Sequence, residues 1–122
     1  MKPSKEQLYD ALGELIYAVA MADGIVQESE TKKLEELLQQ HPWSAAVKWS
    51  FDYENRKGKT VEEAYAKAID TCKSYGPTEE YASLFELLDA VAEASDGIDE
   101  KEAAIIQGFK TELRNHFLSL DL

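Results

Sequence analysis

Two Asp-Gly turns carry most of the residues in this chain that are equipped for chemistry. Asp23-Gly24 is followed by Glu28 and Glu30, and Asp96-Gly97 is followed by Asp99, Glu100 and Glu102. Carboxylates grouped in this way suit a hard divalent cation such as calcium or magnesium. Asp23, Glu30, Asp96, Asp99 and Glu102 are the candidate metal ligands. The same residues also fit a purely structural role. Acids in the first turn of a helix offset its positive end by about 0.3–1 kcal/mol each. An N-cap such as Asp99 adds about 1 kcal/mol, and Asp-Gly is ordinary turn chemistry.

A calcium loop of the EF-hand type does not fit the spacing. With Glu30 as its twelfth position, Asp23 is the fifth and Gly24 the sixth, but Val19 and Met21 then fall where oxygen ligands are required. In the second copy the distance from Gly97 to the closing Glu102 is one residue shorter than that from Gly24 to Glu30.

Other reactive residues form no constellation. Cys72 is the only cysteine, so no internal disulfide exists, and no Cys/His spacing reads as a zinc site. Cys72 falls on an apolar helical stripe and reads as a small buried hydrophobe. His41 and His116 lie far apart, and neither belongs to a nucleophile or triad pattern. The carboxylates lie at turns expected to be exposed, where pKa values are rarely tuned for acid–base work. The chain is therefore read as a non-enzyme.

The elements that hold the two turns are helices, and the turns belong to a repeat. Ala18-Val19-Ala20 and the closing Glu30 return 72 residues later as Ala90-Val91-Ala92 and Glu102, with the Asp-Gly-Ile phrase displaced by one residue. Each copy reads as the end of an apolar helix, an acidic turn and the start of an amphipathic helix. Six helices are expected in all. Ser4 with Gln7 is a capping box, and Leu8, Leu12, Leu15, Ile16 and Val19 keep helical spacing to about Ala22. A second helix starts near Gln27 or Glu28, buries Leu34, Leu37 and Leu38, and stops at His41-Pro42. Trp43, Val47 and Phe51 mark one stripe of a third. Trp49 and Tyr53 mark another face of it, read as core in preference to a partner site. Thr60 with Glu63 opens the fourth, with Val61, Tyr65, Ala68, Ile69 and Cys72 inward and Gly76-Pro77 at its end. Thr78 caps the fifth, and Asp99 with Glu102 opens the sixth. Leu15, Leu38, Leu88, Ile106 and Phe109 are the expected core.

The fold class is thus all-α: a compact single-domain bundle, residues 1–122, with two repeated helix-(Asp-Gly turn)-helix hairpins packed together and covered by the third and fourth helices. At 122 residues with 44% apolar content, one domain with an ordinary core is the natural reading. The net charge of −11, from 24 acids and 13 bases, argues against binding nucleic acid or anionic lipid. It allows a cation, a partner protein with a basic surface, or simple solubility. Nine acids and one base lie between Glu79 and Glu102, most of them expected on a solvated face. The uncharged run from Leu15 to Ala22 is too short to span a membrane. The lone cysteine fits a reducing compartment, so a cytoplasmic location is expected.

The phrase Ala20-Met21-Ala22-Asp23-Gly24-Ile25-Val26-Gln27-Glu28-Ser29-Glu30, followed by Leu34, Leu37 and Leu38, resembles the TerB-like tellurite-resistance domain. That domain is itself similar to the N-terminal region of DjlA-type co-chaperones. The second elbow, Ser95-Asp96-Gly97-Ile98-Asp99-Glu100-Lys101-Glu102, extends the resemblance over the whole chain. The resemblance implies a compact all-α bundle and a role in tellurite resistance or stress response, as a metal-associated or scaffolding module without catalysis. By match to the motif, Asp23 and Glu30, and Asp96 and Glu102, are the acidic positions carried over. The alternative is an acidic protein–protein interaction domain that binds no metal and uses the third-helix aromatics or the 79–102 face.

Overall fold

In the computed structural model, which describes residues 3–22, 24, 28–39, 44–76, 78–93 and 100–117, six helices follow one another. They are α1 (Lys5–Ala20), α2 (Glu28–Leu38), α3 (Ser44–Lys57), α4 (Val61–Tyr75), α5 (Glu80–Glu93) and α6 (Glu100–His116). No strand occurs among the described residues. Both capping boxes expected at the starts of α1 and α4 are formed. Ser4 Oγ accepts from the Gln7 amide at 3.1 Å while Gln7 Oε1 accepts from the Ser4 amide at 2.8 Å. Thr60 Oγ1 accepts from the Glu63 amide at 3.1 Å, and Glu63 Oε1 accepts in return from Thr60. Gly76, with φ of +102°, closes α4 where an L side chain would be strained.

The centre of the bundle is α1. Every residue from Ala11 to Ala20 is buried, including Gly13 and Glu14. A helix buried around its whole circumference needs neighbours on all sides, and here α3 and α4 are the principal ones, with α5 and α6 beyond. Gly13 sets the distance to α3. A β-carbon there would lie 2.5 Å from the Val47 carbonyl oxygen and 2.7 Å from Ser50 Cβ. Ser50 Oγ uses that proximity to donate to the Asp10 carbonyl at 2.6 Å. The sequence pattern placed the third and fourth helices as covers over two hairpins. In the structure both are principal neighbours of α1, and glycine at position 13 removes the side chain that would hold α3 away.

The expected core is formed: Leu15, Leu38, Leu88, Ile106 and Phe109 are all buried in one cluster with Val47, Phe51, Tyr81, Leu84 and Leu113. Some expectations shift. α1 ends at Ala20, short of Ala22, and α5 begins at Glu80, not directly after Thr78. Leu37, Val61, Tyr65, Ile105 and Phe117 are half-buried at the edge of the core. His41, Pro42, Trp43 and the turns at 25–27 and 94–99 lie outside the described residues, and with them the pairing of the two hairpins through their elbows. Reading Trp49 as core is corrected: it is 58% exposed. Val47, Phe51 and Glu54 occupy the face of α3 turned inward, so Trp49 and Tyr53 point away from it. No described helix is long and apolar enough to cross a membrane.

Candidate functional site

Two of the five candidate ligands are described, and they occupy matching positions. α2 begins at Glu28 and α6 at Glu100, so Glu30 and Glu102 are each the third residue of a helix. Both are almost fully buried, with 1% and 2% of their surface exposed. Their neighbours Glu28, Ser29, Glu100 and Lys101 are exposed. The same position in α1 and α4 is held by Gln7 and Glu63, and both of those lie in solvent while completing their capping boxes. Capping therefore does not require burial in this protein. The expectation that all the elbow carboxylates sit at exposed turns is corrected for Glu30 and Glu102. Asp23, Asp96 and Asp99 lie outside the described residues.

The chain leaves α1 for the first elbow through a tight turn. The Met21 amide donates to the Tyr17 carbonyl at 2.8 Å, and the Gly24 amide donates to the Met21 carbonyl at 2.8 Å. Gly24 has φ of +96°, which explains glycine there. Ala22 of this elbow and Lys101 of the first turn of α6 line one hollow of about 570 Å3, together with Val61, Glu62, Tyr65 and Ala104. The start of the first elbow and the first turn of α6 thus meet at the same end of the bundle. Along the α4–α6 seam, the Tyr65 hydroxyl donates to Glu112 Oε1 at 2.7 Å and Lys73 Nζ stands 3.4 Å from Glu112 Oε2. The hydroxyl proton of Tyr65 is held well above its ordinary pKa by burial, and then by that bond to a carboxylate.

A second group of carboxylates was not singled out from the sequence. Glu14 of α1 and Glu54 of α3 are 3% and 1% exposed. Glu14 Oε1 stands 3.6 Å from Lys67 Nζ, and Glu54 Oε2 stands 3.7 Å from Lys59 Nζ. Oε2 of each is buried without a hydrogen bond among the described residues. Burial pushes the Glu14 carboxyl up to about 7; Lys67 opposes that rise and Glu54 adds to it. Tyr17, between them in sequence, donates from its hydroxyl to the Lys59 carbonyl at 2.8 Å. Glu54 was legible in principle, since it continues the spacing of Val47 and Phe51 by one further turn. Glu14 had a weaker signal, a lone acid within a run of small and apolar residues.

The remaining candidates behave as structural groups. Cys72 is buried, as expected, and burial drives its thiol up to about 12, so it is not a nucleophile at neutral pH. His116 is exposed at the end of α6, in edge contact with Phe117 at 4.8 Å. Among the described residues no three His, Cys, Asp or Glu side chains form a metal-binding group.

In comparisons with known proteins, no family model matches the chain, and neither a curated protein nor a solved structure matches it. The resemblance to TerB-like domains therefore rests on the elbow residues themselves.

Proposed function

We propose that this protein is a non-catalytic binding module of the TerB-like kind, acting in tellurite resistance or a related stress response in the cytoplasm. In this reading a divalent cation, calcium or magnesium, is held at the acidic elbows. The observation that carries the proposal is the burial of Glu30 and Glu102. Two carboxylates at one helical position are turned inward, while the equivalent Gln7 and Glu63 remain in solvent. Their burial sets anionic oxygens at the starts of two helices, and such oxygens are the donors a hard divalent cation takes.

The donor set fits such an ion in kind. Glu30 and Glu102 supply hard anionic oxygens, and Asp23, Asp96 and Asp99 add carboxylates from the adjoining turns. Several carboxylates are needed, because the positive end of each helix repels a cation and must be outweighed. A bound ion would tie the turns to the helix starts and neutralise part of the chain's net charge of −11. Titrating metal-stripped protein with calcium or magnesium, followed by the Gly24 and Gly97 amide signals, tests this reading. Saturable shifts at both glycines support it, and unmoved signals refute it.

A further inference from the structure

The outer face of α3 has a chemistry unlike the rest of the surface. Trp49 is the one large hydrophobic side chain that is exposed among the described residues. Its ring stacks on Tyr53, one turn on, with centroids 5.3 Å apart and planes inclined by 18°. Lys57, a further turn on, places its ammonium 5.6 Å from the Tyr53 ring centroid. Tyr53, Arg56 and Lys57 line a hollow of about 400 Å3. A ladder of indole, phenol and cation therefore runs along three successive turns.

The charges around this ladder are locally positive in a strongly acidic chain. Asp52 is engaged by Lys48 at 2.7 Å. Glu54 is buried beside Lys59. Arg56 and Lys57 are both exposed, and neither has a carboxylate within ion-pair distance among the described residues. With 24 acids and 13 bases in the chain, two adjacent cations left without acids are set apart from the general pattern.

We infer that the outer face of α3 is a docking surface for a short acidic segment of a partner protein that carries an aromatic or aliphatic anchor. The anchor packs on Trp49 and Tyr53, and the acids pair with Arg56 and Lys57. Exposed aromatics and arginine are the residue types that dominate such interfaces. Nucleic acid would stack on the same rings, but tight binding needs many phosphate contacts. Only two unpaired cations lie here, on a molecule whose net charge repels a polyanion.

The probe is a labelled random copolymer of glutamate and tyrosine, with polyglutamate and oligothymidylate alongside, and binding is read by fluorescence anisotropy on the full chain. The copolymer should bind in a salt-sensitive way and more tightly than polyglutamate. Trp49→Ala should weaken it by roughly tenfold or more, as should Arg56→Glu with Lys57→Glu, whereas Arg56→Lys should retain most of the affinity. These positions are exposed, so helicity by circular dichroism should be unchanged in every variant. Tighter binding of oligothymidylate than of the copolymer would overturn the inference. So would copolymer affinity that is absent or indifferent to the variants, or self-association that Trp49→Ala abolishes.

Discussion

Gly13 stands so close to Val47 that a β-carbon on it would lie 2.5 Å from the Val47 carbonyl oxygen. The obstacle is backbone, which no rotamer change relieves. Gly13→Ala gains about 0.5–1 kcal/mol of helix propensity but must push α1 and α3 apart. Overpacking of this kind costs about 1–3 kcal/mol or more, so a net loss of stability is expected. Gly108→Ala is the control, since its β-carbon would meet only the Tyr65 hydroxyl at an ordinary 3.6 Å. Thermal unfolding should show Gly13→Ala lowered and Gly108→Ala level or raised. Equal effects would mean that the α1–α3 approach is looser than described.

The pH dependence of stability should carry the signature of Glu14. Its carboxyl is raised from the ordinary 4.5 to about 7 in the folded protein, chiefly by burial. A group raised in this way favours folding fully below pH 4.5, and that contribution is lost as pH climbs through about 7. The loss is on the order of 3 kcal/mol. Glu14→Gln cannot ionise, so its advantage over the unaltered protein should grow between those two pH values and then level off. Denaturant titrations at pH 4.5, 6 and 8 would measure this. A constant difference across the series would show that Glu14 stays charged through its contact with Lys67.

These two cases show which parts of the structure were legible in the sequence. Helix starts at Ser4 and Thr60 are local events, written within four residues as capping boxes. The inward stripes of Leu84, Leu88 and Val91, or of Ile106, Phe109 and Leu113, follow from helical spacing alone. The burial of Glu14 depends on which helices surround α1, and that is decided by packing far apart in sequence. The same applies to Glu30 and Glu102: residue type and position match Glu63, yet the bundle covers two of these glutamates and leaves the third in solvent. Trp49 errs the other way. Its apolar character suggested core, but the stripe of Val47, Phe51 and Glu54 had already taken the face that meets α1.

Leu88 is fully buried in α5 and belongs to the common core. Leu88→Ala should cost about 2–5 kcal/mol, the larger figure if the site cannot collapse. Differential scanning calorimetry would register it as a cooperative transition at lower temperature. An unchanged transition would mean that α5 presents a different face to the bundle.

The exposed capping box of α4 calibrates the elbows. Thr60→Ala should cost about 1 kcal/mol, and Glu63→Ala less, because Glu63 lies in solvent. Both losses should be the same in chelator and in excess calcium. A metal-dependent loss at either position would mean that the response to metal is not confined to the elbows.

The most direct test of a cation at the elbows is unfolding of EDTA-treated protein with and without added calcium or magnesium. An ion that binds only the folded state adds about 2.7 kcal/mol at one hundred times its dissociation constant. The account predicts that gain in the unaltered protein and its loss in Glu30→Gln and in Glu102→Gln, each of which keeps the side-chain shape and removes the charge. A melting temperature indifferent to calcium and magnesium, with both variants unfolding alike in metal and in chelator, would contradict it and leave Glu30 and Glu102 as structural groups.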